Sequence, residues 1–133
     1  MEKELIKELV KAELGQAEER LEAGQILLKN DKIVDAVNRF YYAAFHAARA
    51  VLNSIGLNPK THTGLLSQFG IYVVKNKLMD EKFGNYLRKL MEARESGDYK
   101  IEAIFSTEDV KDLGEMAKKF VLEAKKIAMG KIK

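Results

Sequence analysis

Apolar residues recur every three or four positions through most of this chain, and this spacing strongly restricts how it can fold. In the first segment, from Leu5 to Lys29, the apolar stripe consists of Ile6, Val10, Leu14, Ala17, Leu21 and Leu28. Such a spacing places the apolar side chains along one face of an α-helix. No segment alternates apolar and polar residues between turns, and the chain has only one proline. The pattern therefore predicts an all-α protein without a sheet.

Breaking and capping residues divide the first half of the pattern into three helices. Asn30 and Asp31 interrupt the first stripe, and Asp31 is predicted to be the N-cap of the second helix. The second helix is predicted to stop at Gly56. Thr61 follows a turn and is predicted to cap a third helix that ends near Lys77.

Two further helices complete the predicted fold. The fourth is predicted to start at Asp80 and to end near Gly97, before a loop over residues 97–106. Ser106 or Thr107 is predicted to cap the fifth. Antiparallel helices with short connections form an up-and-down bundle, here of four long helices and a shorter one. The length of the chain predicts a single domain over residues 1–133.

The composition excludes several common kinds of site. The chain has no cysteine and two histidines, which excludes thiolate catalysis and argues against a classical zinc site. Neither histidine follows a glutamate by three positions, as di-iron bundles require, and there is no Walker loop. We therefore expect neither a metal nor a cofactor. No apolar run approaches the roughly 18 residues of a membrane span, and the N-terminus lacks a signal peptide, so we expect a cytoplasmic protein without membrane contact.

One side of the second helix carries a row of polar residues. At 100° per residue, Arg39, Tyr42, His46, Arg49 and Asn53 fall within about 80° of one another, opposite the apolar stripe. Such a row is either a solvated face or the lining of an interface or anion-binding groove. The sequence leaves both interpretations open.

A second group of polar residues lies near the end of the fourth helix. Arg94 continues the apolar stripe of that helix, where an unpaired guanidinium would be costly. Asp98 lies four residues further on the same face, and Tyr99 follows directly. Arg94 and Asp98 are therefore predicted to be a coupled pair. The pair is either an internal salt bridge or part of a polar site at the mouth of a cleft.

Four fragments of the chain, taken in order, resemble the HEPN family. They are YYAAFHAARAVL at 41–52, Gly56-Leu57, KTHTGL at 60–65, and Arg94 followed at fixed spacing by Asp98 and Tyr99. HEPN proteins are small helical proteins found beside minimal nucleotidyltransferases in prokaryotes. The resemblance covers nearly the whole chain. It implies a bundle of four long helices and a short one, which usually dimerises face to face.

The resemblance also implies a function. Active HEPN proteins are metal-independent ribonuclease toxins with an Arg-x(4–6)-His motif, and a paired nucleotidyltransferase antitoxin modifies a tyrosine close to that motif. Here no histidine occurs among residues 95–102 after Arg94. Arg39 and His46 have the right spacing but lie on the second helix. Histidine is the side chain best suited to accept a proton near neutral pH, so its absence argues against cleavage.

Three functions are therefore consistent with the sequence. The first is a non-catalytic dimeric HEPN protein that binds a nucleotidyltransferase, a nucleotide or RNA. The second is a ribonuclease toxin in which the fold brings His46 or His62 to Arg94. The third is a helical scaffold without a ligand. The candidate binding residues are Arg94, Asp98, Tyr99, Arg39, Tyr42, His46, Arg49 and His62, and no residue is assigned a catalytic role.

A homodimer is predicted independently from the second helix. Its aromatic residues Phe40, Tyr41, Tyr42 and Phe45 lie on both sides of the apolar stripe. This is more apolar surface than one neighbouring helix would cover, so a second copy of the chain is expected to cover the rest.

Overall fold

The computed structural model describes residues 1–99 and 105–133, with the side chains of Asp98 and Tyr99 left aside. Over these residues the chain forms helices and no strand, as predicted. The helices are α1 (Lys3–Lys29), α2 (Ile33–Ser54), α3 (His62–Gln68), α4 (Glu81–Tyr99) and α5 (Thr107–Lys131). A π-helical segment, Phe69–Val74, continues α3. The helices pack as a bundle around one cluster of buried apolar residues.

The capping residues act at three of the predicted helix starts. The Thr61 hydroxyl accepts a hydrogen bond from the Gly64 N–H at 2.9 Å and begins α3. The Asp80 carboxylate accepts from the Lys82 N–H at 2.9 Å before α4. Ser106 and Asp109 satisfy each other's backbone N–H groups at the start of α5, which is a capping box.

Asp31 has a different role from the one predicted, because it closes α1 and does not cap α2. Its φ is +58°, and the N-cap of α2 is Lys32. The Asp31 N–H donates to the Leu28 carbonyl at 3.1 Å, and the Lys32 N–H donates to the Leu27 carbonyl at 2.9 Å. These two bonds form a Schellman motif, which needs a residue in the left-handed region, and aspartate tolerates that region better than most residues.

The third and fourth helices also differ from the prediction at their ends. The helical chain that begins at His62 widens into the π-helical segment and ends at Val74, before Lys77. In this widened turn the Lys75 N–H donates to the Gly70 carbonyl at 3.0 Å, while Phe69 and Val73 both stay buried. Helix α4 runs two residues past Gly97 to Tyr99, and residues 100–104 of the predicted loop lie outside the described part of the chain.

Helix α2 is the central helix of the bundle. It packs against α1, α5 and α4, which is why it is buried on nearly every side and not along a single stripe. Its Phe40 ring sits between α1 and α5 at two glycines, Gly24 and Gly114. A Cβ at Gly24 would lie 2.5 Å from Phe40 Cε1, and a Cβ at Gly114 would lie 2.9 Å from Phe40 Cζ. The two outer helices therefore approach α2 closely because neither has a side chain at that point.

The aromatic residues that motivated the dimer are mostly covered within one chain. Phe40 and Tyr41 are 1% exposed, Phe45 is 9% exposed, and only Tyr42 is half-buried. The reasoning from this aromatic surface is therefore wrong, since α2 is covered within one chain by α1, α4 and α5, and also contacts α3 and the π-helical segment. The homodimer itself stays a prediction. Within the described residues, no helix is both long and apolar enough to cross a membrane.

Candidate functional site

Arg94 of α4 lies against two tyrosine rings of α2. Its guanidinium carbon Cζ is 5.6 Å from the ring centre of Tyr41 and 5.4 Å from that of Tyr42, within cation–π range of both. The side chain of Arg94 is half-buried. A guanidinium carries five N–H donors in a fixed planar fork, a geometry that matches a carboxylate or a phosphate.

His62, the first residue of α3, is brought to the same place. Its ring stacks on Phe45 with centroids 4.6 Å apart and a tilt of 22°, and its Nδ1 is 2.5 Å from the Tyr41 hydroxyl. Its edge-to-face contact with Tyr42 has a centroid distance of 5.9 Å. We call Tyr41, Tyr42, Phe45, His62 and Arg94 the Arg94 cluster.

Burial and charge set the protonation states within this cluster. Burial, and then the neighbouring Tyr42, raise the pKa of the Tyr41 hydroxyl far above its usual value, so the hydroxyl keeps its proton at neutral pH. Burial, and then the positive charge of Arg94, lower the pKa of His62, while Glu95 acts in the opposite direction. At pH 7 the cluster therefore presents one permanent cation beside a neutral imidazole.

His62 should make the stability of the protein depend on pH. Because the folded pKa is lowered from 6.5, the unfolded chain takes up this proton first as the pH falls. The contribution of neutral His62 to stability is present above pH 6.5 and is lost as the pH falls through the folded pKa. We expect the urea midpoint to fall between about pH 7.5 and about pH 5, and to fall less in His62→Gln. Superimposable pH profiles of the two proteins would contradict this assignment.

The polar row of the second helix does not form a solvated face. His46 and Arg49 turn towards α1, where Glu13 Oε2 is 2.7 Å from His46 Nδ1 and Glu13 Oε1 is 3.9 Å from Arg49 Nη1. The Arg49 guanidinium also donates to Asn58 Oδ1 at 3.2 and 3.3 Å. Because Glu13 lies between the two basic groups, this part of the row ties α1, α2 and the turn after α2 together.

The remaining members of the row lie in different surroundings. Asn53 is fully buried and donates to the Leu57 carbonyl at 2.9 Å. Arg39 is exposed near the start of α2, away from His46. Only Tyr42 joins the Arg94 cluster, although the ring of His46 lies 5.4 Å from that of Phe45 at the edge of the cluster. The helical spacing placed these residues on one side, but their neighbours divide them.

The predicted pair of Arg94 and Asp98 falls partly outside the described structure. The backbone of α4 includes Asp98 and Tyr99, but their side chains lie outside the described residues. The coupling of Arg94 to Asp98 therefore stays a prediction. No group of three or more metal-binding side chains occurs among the described residues.

Sequence reasoning missed three residues that shape this region. From the sequence, Tyr41 and Phe45 were considered only as part of the aromatic surface expected to bind a second copy of the chain. They are instead buried within one chain, where both hold His62. No sequence pattern pointed to Glu13 as a site residue, because its partner His46 is 33 positions away in the chain. The only hint available was the neighbouring pair Tyr41-Tyr42 in the fragment that resembles the family.

The comparison with known families decides the identity of the fold. The HEPN domain family matches residues 10–127. The chain belongs to the HEPN family. The four fragments noted in the sequence were thus correctly interpreted, and the bundle around α2 is the structure of a HEPN protein.

Similar proteins come from archaea and bacteria. The chain is 42% identical to "Putative toxin MJ0605" of Methanocaldococcus jannaschii, over 71% of this chain and 70% of that protein. It is 38% identical to a UPF0332 protein of Thermotoga maritima, over 72% of this chain and 73% of that protein. A match to "Putative toxin MJ0142" of M. jannaschii has 29% identity and covers 89% of this HEPN chain and 80% of the relative.

Proposed function

We propose that this HEPN protein is one component of a toxin–antitoxin pair, and that its Arg94 cluster binds RNA without cleaving it. Membership of the HEPN family and the two relatives named as putative toxins support the proposed role in a toxin–antitoxin pair. The proposed antitoxin is a minimal nucleotidyltransferase, as the resemblance implies, with Tyr99 as the residue it would modify.

The observation that carries the RNA proposal is the position of Arg94 over two aromatic rings. A guanidinium binds a phosphate through two parallel hydrogen bonds and holds its charge at every physiological pH. The half-buried ring of Tyr42 and the imidazole of His62 lie beside it and provide surfaces on which an unpaired base can stack. Together they suit a phosphodiester with a flanking base.

Binding of a labelled RNA oligonucleotide, followed by fluorescence anisotropy, tests this proposal. We expect weak binding whose affinity falls as the salt concentration rises, because phosphate contacts release counterions. A nucleotide with a single phosphate should compete with the RNA. Absence of binding at low salt, where electrostatic contacts are strongest, would contradict the proposal.

Metal-independent RNA cleavage is a second candidate function, favoured by one specific observation. The fold places His62 in contact with Tyr41, over whose ring Arg94 also lies, and the pKa of His62 is lowered. A neutral imidazole near an arginine contains the two groups that such a reaction needs, a proton acceptor and a cation. The histidine that the usual motif lacks would then come from α3.

We also propose a homodimer, although on a different basis from the aromatic surface of α2. Family members usually dimerise face to face, and large apolar side chains stay exposed on this chain, among them Ile71, Tyr72 and Leu122. Sedimentation equilibrium at tens of micromolar should give twice the chain mass of 15.1 kDa. A single species with the mass of one chain would contradict the dimer.

A further inference from the structure

The Tyr41 hydroxyl is buried and has one hydrogen-bond partner among the residues that the structure describes. Tyr41 is 1% exposed, and within the described residues its oxygen contacts only His62 Nδ1, at 2.5 Å. The Tyr41 and His62 rings are nearly parallel, with centroids 5.7 Å apart and a tilt of 20°. Phe45 lies against the imidazole as well, so the orientation of the ring is restrained by both neighbours.

This geometry decides which atom donates the hydrogen bond. A neutral tyrosine carries one hydroxyl hydrogen, and leaving it without an acceptor in a buried place is costly. If Nδ1 carried the imidazole hydrogen, it would donate to the Tyr41 oxygen and leave the hydroxyl hydrogen without an acceptor among the described residues. If Nδ1 accepts, the hydroxyl hydrogen is satisfied and Nε2 carries the ring hydrogen.

We propose that Tyr41 is a positioning residue that holds His62 in the Nε2–H tautomer, so that the imidazole donates a hydrogen bond to the phosphate bound by Arg94. This inference rests on the proposed RNA-binding function. It also separates the two candidate functions, because Nε2 in this tautomer is a donor and has no free lone pair with which to take a proton. The raised pKa of Tyr41 and the lowered pKa of His62 support it, since both groups are neutral at pH 7.

The tautomer can be read directly by two-bond ¹H–¹⁵N correlation spectra of the imidazole at about pH 8, where His62 is neutral. The chain has two histidines, so His46→Gln assigns the signals. We expect the Nε2–H pattern for His62 in the wild type and a mixture of tautomers in Tyr41→Phe. Tyr86→Phe is the matched control, because the half-buried ring of Tyr86 packs against Phe83 and lies outside the Arg94 cluster. The His62 signals of this variant should match those of the wild type. An Nδ1–H pattern in the wild type would overturn the inference.

The same variants test the link to binding. Tyr41→Phe should weaken the affinity for the RNA oligonucleotide about three- to tenfold, the effect of losing one oriented hydrogen bond, while Tyr86→Phe should change it little. RNA binding that is equal in the wild type and Tyr41→Phe would overturn the inference and leave the proposed function standing. A wild type with the Nε2–H tautomer that binds no RNA would overturn the proposed function, and the donor role of His62 with it. Thermal melts of each variant show that the fold is intact.

Discussion

Gly24→Ala should destabilise the bundle by about 2–3 kcal/mol, the upper part of the range for overpacking a core. The added Cβ would lie 2.5 and 2.6 Å from Phe40 Cε1 and Cδ1, closer than real side chains approach. The ring cannot move away, because the backbone of Gly114 on α5 lies close to its other side. Even a Cβ built at Gly114 would lie only 2.9 Å from Phe40 Cζ. The backbones of α1 and α2 would therefore have to separate.

Gly15→Ala is the matched control for this change. Gly15 lies on the same helix, is exposed, and has no atom within 4 Å of an added Cβ. Alanine is the better helix former, so this variant should gain about 0.5–1 kcal/mol. Urea unfolding with a common m-value measures both. Equal stability of Gly24→Ala and the wild type would show that Phe40 is not held between the two glycines.

Arg94→Ala should weaken RNA binding about 10- to 100-fold, the effect of removing hydrogen bonds between a charged donor and a phosphate. The slope of log affinity against log salt should decrease by about one, since one phosphate contact is lost. The fold should remain, because Arg94 is half-buried at the edge of the core and not inside it.

Arg88→Ala is the matched control for Arg94→Ala. Arg88 is an exposed residue of the same helix and donates to Asn85 Oδ1 at 3.0 Å. The substitution removes the same charge from α4, so any general electrostatic effect on RNA appears in both variants. An equal loss of affinity in the two variants would show that the charge of α4 matters and the Arg94 cluster does not.

The helices were predictable because their signals are local. Apolar residues at three- and four-residue spacing and the caps at Thr61 and Ser106 act within one or two turns of chain. Asp31 was misassigned because a residue between two helices can close the first or cap the second, and the composition does not distinguish these. The choice depends on the left-handed backbone of the Schellman motif.

The candidate site was predictable only in part. Arg94 and Tyr42 were identified from helical faces, but the contact between Tyr41 and His62 joins residues 21 positions apart across a turn. No period in the sequence encodes such a contact, because it depends on how α3 packs against α2. The same reason explains why His46 was not seen to pair with Glu13, which belongs to another helix.

Cleavage of RNA in the presence of EDTA tests the central claim most directly. Structured and unstructured RNA are incubated with the wild type, with Arg94→Ala and with His62→Gln, at a protein concentration where anisotropy shows the wild type bound. If the Arg94 cluster binds RNA and His62 only donates a hydrogen bond, every RNA stays intact in all three samples. Cleavage by the wild type that Arg94→Ala abolishes would contradict this account and identify the protein as a metal-independent ribonuclease.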